Sequence, residues 1–181
     1  MTRRLTANVY VSLDGVVEAP EKWHFPYHDD ATQEAVLAGM RAADTVLLGR
    51  NTYDIFAGAW PERTGEMADW FNLSPKLVVS TTLRDPEWKN TTVLAPERLI
   101  EELNQQKARP GRAIAVHGSI SLVRALLAHG LLDDLVVMVH PLVLGSGRRL
   151  FPENGPRLPL RLAAATTFGS GIQSLTYIKE K

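Results

Sequence analysis

Two short turns in the sequence combine residue types that could hold a phosphate. The first is Gly118-Ser119, which ends the apolar segment 113–117 and precedes a run with helical spacing that Gly130 ends. Glycine lets the backbone approach a ligand closely, and a helix that begins there presents N–H groups without intrahelical acceptors. The turn is therefore predicted to bind an anion, although every strand–helix–strand unit needs a turn of some kind at this point.

The second turn lies in the segment LLGRNTY at 47–53, where a buried strand ends at Gly49 and a helix begins at Arg50. Two such turns at the carboxyl edge of one sheet would suit the two phosphates of a dinucleotide. Arg50 could make charge-assisted hydrogen bonds to a 2′-phosphate, which would favour NADP over NAD. The alternative is that Arg50 is a solvated residue at the start of a helix.

Short hydroxyl side chains follow a third predicted strand, KLVVS at 76–80. Ser80, Thr81 and Thr82 could hydrogen-bond a ribose or its phosphate, or they could form a plain turn. The sequence contains no G-x-G-x-x-G after its first strand and no G-x-x-x-x-G-K-[ST]. Ordinary Rossmann and P-loop folds are therefore disfavoured.

The elements that would position these turns alternate between strand and helix patterns along most of the chain. A strand is predicted at 5–13, and Asp29 or Asp30 could cap a helix that runs to about residue 42. The segments 113–117 and 135–140 should be parallel strands, and 161–168 and 172–179 should form a hairpin. The sequence thus predicts one α/β domain over residues 1–181, with about eight strands in a mostly parallel central sheet and an antiparallel C-terminal hairpin.

The composition excludes several classes of function. The 20 Lys and Arg residues balance the 20 Asp and Glu residues without a basic run, so nucleic acid is not an expected partner. The absence of cysteine excludes disulfides, thiolate metal sites and a cysteine nucleophile. No signal peptide and no apolar run long enough to cross a bilayer is present, so the protein is expected in the cytoplasm and not in a membrane.

Five segments carry a family resemblance that covers nearly the whole chain: SLDG (12–15), LLGRNTYD (47–54), KLVVSTTL (76–83), VHGSISLVRALLAHGLLDDL (116–135) and HPLVLGSGRRLF (140–151). In their order and spacing they resemble the dihydrofolate reductase-like family. The resemblance is closest to the branch that contains the reductase domain of bacterial riboflavin biosynthesis. It implies a three-layer fold, NADPH as the cofactor, and a homodimer that pairs residues 135–140 and the terminal hairpin across a two-fold axis.

The resemblance also implies which residues contact NADPH. The phosphates would lie on the two glycine turns and the adenosine side on the hydroxyls after the third strand, which gives the set Gly49, Arg50, Asn51, Thr52, Ser80, Thr81, Gly118, Ser119, Ile120 and Ser121. The family usually has a second glycine where this chain has Ser119. If the backbone there has a positive φ, serine is less favourable than glycine.

Three residues are candidates for the chemistry at the substrate. Asp14 stands where the resemblance places a substrate contact, but Asp-Gly is also a common turn. Asp30 could correspond to the acid on the first helix that orients the substrate ring, or it could be only an N-cap. His117 replaces an acidic residue of the riboflavin reductases, and it could donate a proton near neutral pH or be a histidine of the core.

Two further histidines, His24 and His28, have the four-residue spacing of some metal sites. Pro26 lies between them and argues against a helix, so no metal is predicted. The aromatic residues nearby could wall a binding site for a flat heterocycle, or they could pack against the core: Trp23, Phe25, Tyr27 and Trp60.

Two functions remain open from the sequence. The first is an NADPH-dependent reductase that transfers a hydride to a small planar heterocycle, pterin-like or aminopyrimidine-like, or to a related C=N or C=O substrate. The second is a non-catalytic NADP(H)-binding module that acts as a sensor or a scaffold. The loops at 18–30 and 141–159 are expected to select the small-molecule substrate.

Overall fold

The apolar segments form eight strands and five α-helices in a computed structural model that describes residues 2–180. The strands are β1 (Leu5–Ser12), β2 (Ala43–Gly49), β3 (Lys76–Val79), β4 (Thr91–Leu94), β5 (Ala113–His117), β6 (Asp134–His140), β7 (Leu160–Thr167) and β8 (Gln173–Lys179). The helices are α1 (Asp30–Arg41), α2 (Arg50–Ala59), α3 (Glu66–Leu73), α4 (Leu99–Ala108) and α5 (Ile120–Ala128). Short 3-10 turns occur at Pro20–Lys22, Phe25–Tyr27 and Pro96–Arg98.

All eight strands belong to one sheet, in the order β4-β3-β2-β5-β1-β6-β8-β7. All pairings among β1 to β6 are parallel, while β8 is antiparallel to both β6 and β7. This confirms the predicted α/β fold with a mostly parallel sheet and an antiparallel C-terminal hairpin. Because the strands are parallel, the carboxyl ends of β1, β2, β5 and β6 lie at one edge of the sheet.

The strand order corrects one expectation. Strands β5 and β6 run in the same direction, as predicted, but β1 lies between them and pairs with both. Strand β6 also pairs with β8, so it is interior to the sheet. The prediction that residues 135–140 pair across a two-fold axis is therefore wrong, because an interior strand has no unpaired backbone to offer. The exposed edge on this side of the sheet is β7.

Alternate side chains of each strand face opposite layers of helices. One face is covered by α4 and α5, where the packed residues include Leu5, Leu47, Leu103, Val116 and Leu126. The other face is covered by α1, α2 and α3, where they include Val36, Leu48, Tyr53, Phe71 and Met138. The result is the three-layer arrangement that the resemblance implies, with the turns after β2 and β5 fixed by buried strands.

The N-terminus of α1 resolves an open alternative. Asp29 is the N-cap, since its Oδ1 accepts a hydrogen bond from the Thr32 N–H at 2.8 Å and another from the Thr32 hydroxyl at 2.6 Å. Its Oδ2 accepts from the N–H of Ser170, which ties the helix to the hairpin turn.

In the part of the chain that the structure describes, no helix has the length and apolar character needed to span a bilayer.

Candidate cofactor and active site

The two glycine turns predicted from the sequence are hydrogen-bonded to each other. The N–H of Gly49 donates to Oγ of Ser119 at 2.7 Å, and the Ser119 hydroxyl donates to Oγ1 of Thr52 at 2.7 Å. The contact exists because β2 and β5 are neighbours and end at the same edge. We refer to residues 49–52 and 118–121 as the joined turns.

Both glycines of the joined turns are required by close packing. A Cβ atom at Gly118 would lie 2.8 Å from Cγ2 and Oγ1 of Thr52, and a Cβ at Gly49 would lie 2.8 Å from Oγ of Ser119. Gly118 also has φ +57°, a conformation that side chains disfavour. Any larger residue at either position would push the two turns apart.

Ser119 adopts the positive φ at which the sequence predicts serine to be less favourable than glycine, with φ +57°. A left-handed conformation costs a non-glycine residue about 1–2 kcal/mol. The two hydrogen bonds of its hydroxyl offset this cost, because each contributes about 0.5–1.5 kcal/mol. The serine therefore takes the place of a second glycine and also links the turns.

The joined turns keep their anion-binding character with one change. The Gly49 N–H is occupied by Ser119 and is not available to a ligand, contrary to expectation. Helices α2 and α5 begin directly after the turns, and neither has a side chain hydrogen-bonded to its N-terminus. The N–H groups of their first turns therefore lack intrahelical acceptors and can donate to an anion.

Arg50 is the first residue of α2, and its side chain reaches the turn after β3. Its Nε lies 2.9 Å from both carboxylate oxygens of Asp54, and its Nη1 donates to the Thr82 hydroxyl at 3.1 Å. The side chain is 37% exposed, so the guanidinium has donors left for a ligand. In the sequence, Ser80, Thr81 and Thr82 are candidates for the same role. Of these three residues, Thr82 is the one whose hydroxyl accepts a hydrogen bond from Arg50.

Ser80 has a different role from the one the resemblance implies. It is buried, and its Oγ accepts hydrogen bonds from the N–H groups of Thr82 and Leu83. This is the plain-turn alternative for Ser80. Thr81 is exposed beside it, as is Asn51 on the first turn of α2.

Asp14 holds two loops together at the end of β1. Its carboxylate accepts hydrogen bonds from the Ser12 hydroxyl at 2.6 Å, from the Leu144 N–H at 3.1 Å and from the Gly145 N–H at 2.9 Å. These bonds, the one from Ser12 foremost, lower the pKa of Asp14 to about 2. The group is thus a carboxylate near neutral pH with its acceptor sites in use, as a turn anchor requires.

Asp30 and His117 lie in separate environments. Asp30 is exposed on the first turn of α1, next to the N-cap Asp29. The His117 ring packs against Trp70 at 5.6 Å and Phe71 at 5.0 Å, both from α3, and burial lowers its pKa to about 4. Its imidazole is therefore neutral near pH 7, as in the alternative of a histidine of the core. In the part of the chain that the structure describes, no hydrogen bond or ion pair joins any two of Asp14, Asp30 and His117.

A cluster of three histidines instead occupies the carboxyl ends of β1 and β6, where Ser12 pairs with His140. We call His24, His28 and His140 the histidine cluster. The ring centroid of His24 lies 5.4 Å from that of His28 and 6.3 Å from that of His140. Sequence reasoning considered His24 and His28 only as metal ligands and did not single out His140, whose signal was a polar residue at the end of an apolar strand.

Aromatic rings surround the histidine cluster. Trp23 and Tyr27 face His140, at 5.1 Å and 6.1 Å between ring centroids, and Phe25 lies 4.0 Å from His24. These three were predicted to wall a binding site or pack against the core; the fourth predicted aromatic residue, Trp60, stacks on Phe71 instead.

The histidine cluster is uncharged near neutral pH. Burial lowers the pKa of His24 to about 4, helped by His28 and His140, and burial also lowers the pKa of His28 and His140. Within residues 2–180 no group of three His, Cys, Asp or Glu side chains has the geometry to hold a metal ion. The cluster can therefore donate and accept hydrogen bonds as neutral imidazoles.

Comparison with known proteins agrees with this architecture. A family model described as the RibD C-terminal domain matches residues 3–174. The uncharacterized protein YyaP of Bacillus subtilis (strain 168) is 27% identical over 183 residues, which cover 97% of this chain and 94% of that protein.

Two solved structures share the fold at low sequence identity. A candidate riboflavin biosynthesis protein from Shewanella sp. PV-4 is similar with a TM-score of 0.74 and 20% identity, over 100% of both chains. Dihydrofolate reductase from Enterococcus faecalis, solved in complex with NADP(H), is similar with a TM-score of 0.65 and 16% identity, again over 100% of both chains. These similarities confirm the dihydrofolate reductase-like fold.

Proposed function

The chain belongs to the RibD C-terminal domain family, and from this membership we propose that it is an NADPH-dependent reductase. The substrate class that we propose is a small planar heterocycle, pterin-like or aminopyrimidine-like, or a related compound with a C=N or C=O bond. Bound NADPH would supply the hydride, while the chain positions both reactants and delivers a proton.

The observation that carries the proposal is the hydrogen-bonded pair of turns. Ser119 fixes the N-termini of α2 and α5 side by side, so that two sets of N–H donors converge on one region. Arg50 adds a positive charge at the side of α2 that faces Thr82. A ligand with phosphates at two places, one of them doubly charged, fits this arrangement better than a single anion does.

Calorimetric titration with NADPH, NADP⁺ and NADH tests the cofactor. We expect micromolar binding of the two phosphorylated forms and at least about tenfold weaker binding of NADH, because one charged hydrogen bond contributes about 1.5–3 kcal/mol. Oxidation of NADPH in the presence of 7,8-dihydropterin, which has a C=N bond that can accept the hydride, then tests the reaction. Absence of binding by all three nucleotides would remove the proposal.

A second candidate, an NADP(H)-binding module without catalysis, is favoured by one observation. Asp14, Asp30 and His117 do not form a common acid site: the first is tied to two loops and the third is covered by α3. Nucleotide binding without turnover of any planar heterocycle would support this module.

We also propose that the protein acts as a cytoplasmic homodimer with a small-molecule substrate and without nucleic-acid or membrane partners. Strand β7 supports dimerisation, because it is an exposed edge strand, and such strands readily pair with another chain. Sedimentation at micromolar concentration should give a dimer, and a monomer would contradict this part of the proposal.

A further inference from the structure

The histidine cluster contains a buried nitrogen that has no partner. Among residues 2–180, three buried side-chain atoms lack a hydrogen bond: Asn8 Oδ1, Ser170 Oγ and Nε2 of His28. Only the last belongs to a titratable group. An unpaired buried polar atom is unfavourable, because folding removes its water without a replacement. Nε2 of His28 would therefore be stabilised by a hydrogen-bond partner that the chain itself does not supply.

The other ring nitrogen of His28 is held by His24. Their Nδ1 atoms are 3.4 Å apart, and since both atoms are of one kind, one must carry a proton and the other a lone pair. When His24 is the donor, His28 carries its own proton on Nε2, the atom without a partner. The pair then forms a short chain of donors that ends at the unpartnered position.

Planar rings surround this chain of donors. Tyr10 lies 4.9 Å from His24 between ring centroids, and Phe25 lies 4.0 Å from it on the outside, where its side chain is 62% exposed. His140 is held in place by the Met138 carbonyl, 2.9 Å from its Nδ1. Planar rings grouped around one unpartnered polar atom have the chemistry that suits an uncharged planar ring.

The position fits the far end of the cofactor. The joined turns follow β2 and β5, the histidine cluster follows β1 and β6, and β5 is the neighbour of β1. All four strands end at the same edge, so a dinucleotide whose phosphates lie on the joined turns can extend along that edge towards the cluster.

We propose that His28 binds and protonates the planar heterocycle through Nε2, and that His24 resupplies the proton of His28. The assignment rests on the proposed reductase function and names the acid that the three sequence candidates do not provide. His28 is the catalytic residue in this assignment, while His24 and His140 are positioning residues.

The proton balance closes with one solvent proton. Bound NADPH would supply a hydride to the carbon of C=N, and the π electron pair would move to the nitrogen. That nitrogen takes the proton of His28 Nε2, Nδ1 of His28 takes the proton of His24 Nδ1, and Nε2 of His24 takes a proton from water. Both histidines end neutral, and exchange with water after product release restores their starting tautomers.

The other titratable groups around the pair do not compete for this role. Burial raises the pKa of Tyr10 to about 12, so its phenol stays protonated. Asp29 is the nearest carboxylate to His28, and its oxygens are bound to Thr32 and to Ser170. Tyr27 and His140 complete the set, and His140 is bound to a backbone carbonyl.

Histidine-selective ¹⁵N NMR tests the assignment without turnover. In the free protein at pH 7 we expect the proton of His28 on Nε2 and that of His24 on Nδ1. With NADP⁺ and either 7,8-dihydropterin or 6-aminouracil present, the His28 Nε2 resonance should move, while those of His129, an exposed residue after α5, should not. The opposite tautomer, or a His28 Nε2 resonance that neither probe moves, would overturn the inference.

The variants His28→Ala and His24→Gln, with His129→Gln as the control, test the chemistry under single turnover. His28→Ala should slow NADPH oxidation at least about 100-fold, the lower end for general acid catalysis, with NADPH affinity within about twofold of wild type. Added imidazole should restore part of the rate, which it would not do for a purely structural histidine. His24→Gln should be slowed less, and the control should match wild type.

The outcomes separate this inference from the proposed function. An undiminished rate in His28→Ala would overturn the role of His28 and leave the reductase standing. If wild-type protein does not bind NADPH, the reductase proposal fails. If it binds NADPH but does not oxidise it with 7,8-dihydropterin, the shift of His28 Nε2 on adding either probe decides whether the ring site exists.

Discussion

The two ends of the candidate site are built in opposite ways. In the joined turns, Gly49, Thr52 and Ser119 satisfy one another, and only helix N-termini and Arg50 remain to meet a ligand. In the histidine cluster, neutral rings pack edge to face, and His28 keeps a nitrogen without a partner. The first end is preformed for negative charge, and the second suits a flat, uncharged ring. One sheet edge can thus hold a charged cofactor beside a neutral substrate.

Gly118→Ala should break the preformed end most severely. The new Cβ meets Thr52 at 2.8 Å, and φ is +57°, so strain of about 1–2 kcal/mol adds to overpacking of about 1–3 kcal/mol. We expect a loss of about 2–5 kcal/mol in the free energy of unfolding by urea denaturation.

Gly145→Ala is the matched control for this variant. Gly145 also has a positive φ, +76°, but no atom lies within 4 Å of the added Cβ. It should show only the strain of about 1–2 kcal/mol. Equal losses of unfolding free energy in Gly118→Ala and Gly145→Ala would mean that the contact between the turns does not constrain position 118.

The neutral state of the histidine cluster predicts a loss of stability in acid. The pKa of His24 is lowered to about 4 in the folded protein, against about 6.5 when unfolded, so between these values the unfolded chain binds more protons. Stability should be constant above about pH 6.5 and fall towards pH 4, with up to about 3 kcal/mol from this residue. Urea denaturation across this range measures it.

His24→Gln should flatten the acid limb of that profile, and His129→Gln should leave it unchanged, because His129 is exposed. His117→Gln should flatten it as well, since burial lowers its pKa in the same direction. A profile of His24→Gln that is parallel to that of wild type would show that His24 is not held neutral by its surroundings.

Arg50→Ala should distinguish the charged end from the rest of the site. It should weaken NADPH binding by about 1–3 kcal/mol, because a charged hydrogen bond to the 2′-phosphate is lost, and leave NADH binding nearly unchanged. Parallel titrations of both cofactors measure this. Asp54→Asn removes the carboxylate that forms an ion pair with Arg50, and this change should not weaken the binding of NADPH. Equal losses for NADPH and NADH in Arg50→Ala would show that Arg50 does not read the 2′-phosphate.

Ser119 variants should give the smallest effect and sharpen the role of the link. Ser119→Ala keeps the strained φ and loses both hydrogen bonds, so we expect about 1–3 kcal/mol less stability. Ser119→Gly loses the same bonds but relieves the strain, and should lie near wild type. If Ser119→Gly were the less stable of the two, the positive φ would not be a cost at this position.

Local signals explain which parts of the fold were predictable. The bounds of β5 match the sequence prediction because Gly118 marks the end of the strand. Strand order was not predictable: nothing in the periodicity of β5 and β6 says that β1 inserts between them, and hence that β6 is interior.

The candidate site, too, was predictable only where its residues are close in the sequence. The glycine turns were visible because a strand, a glycine and a helix are consecutive in the chain. Which hydroxyl faces Arg50 depends on the turn that Ser80 closes, so Thr82 could not be told from its neighbours. The histidine cluster joins His24 and His28 to His140 from the other half of the chain, a contact that only the pairing of β1 with β6 creates.

The most direct test of the joined turns as the cofactor site is a ¹H–¹⁵N NMR titration of wild-type protein with NADPH. We expect the backbone amides of the two helix N-termini to shift most, and to shift together at one micromolar dissociation constant. The amides expected to move are those of Arg50, Asn51, Thr52, Ser119, Ile120 and Ser121. Shifts confined to other parts of the sheet, or none at millimolar NADPH, would contradict the assignment.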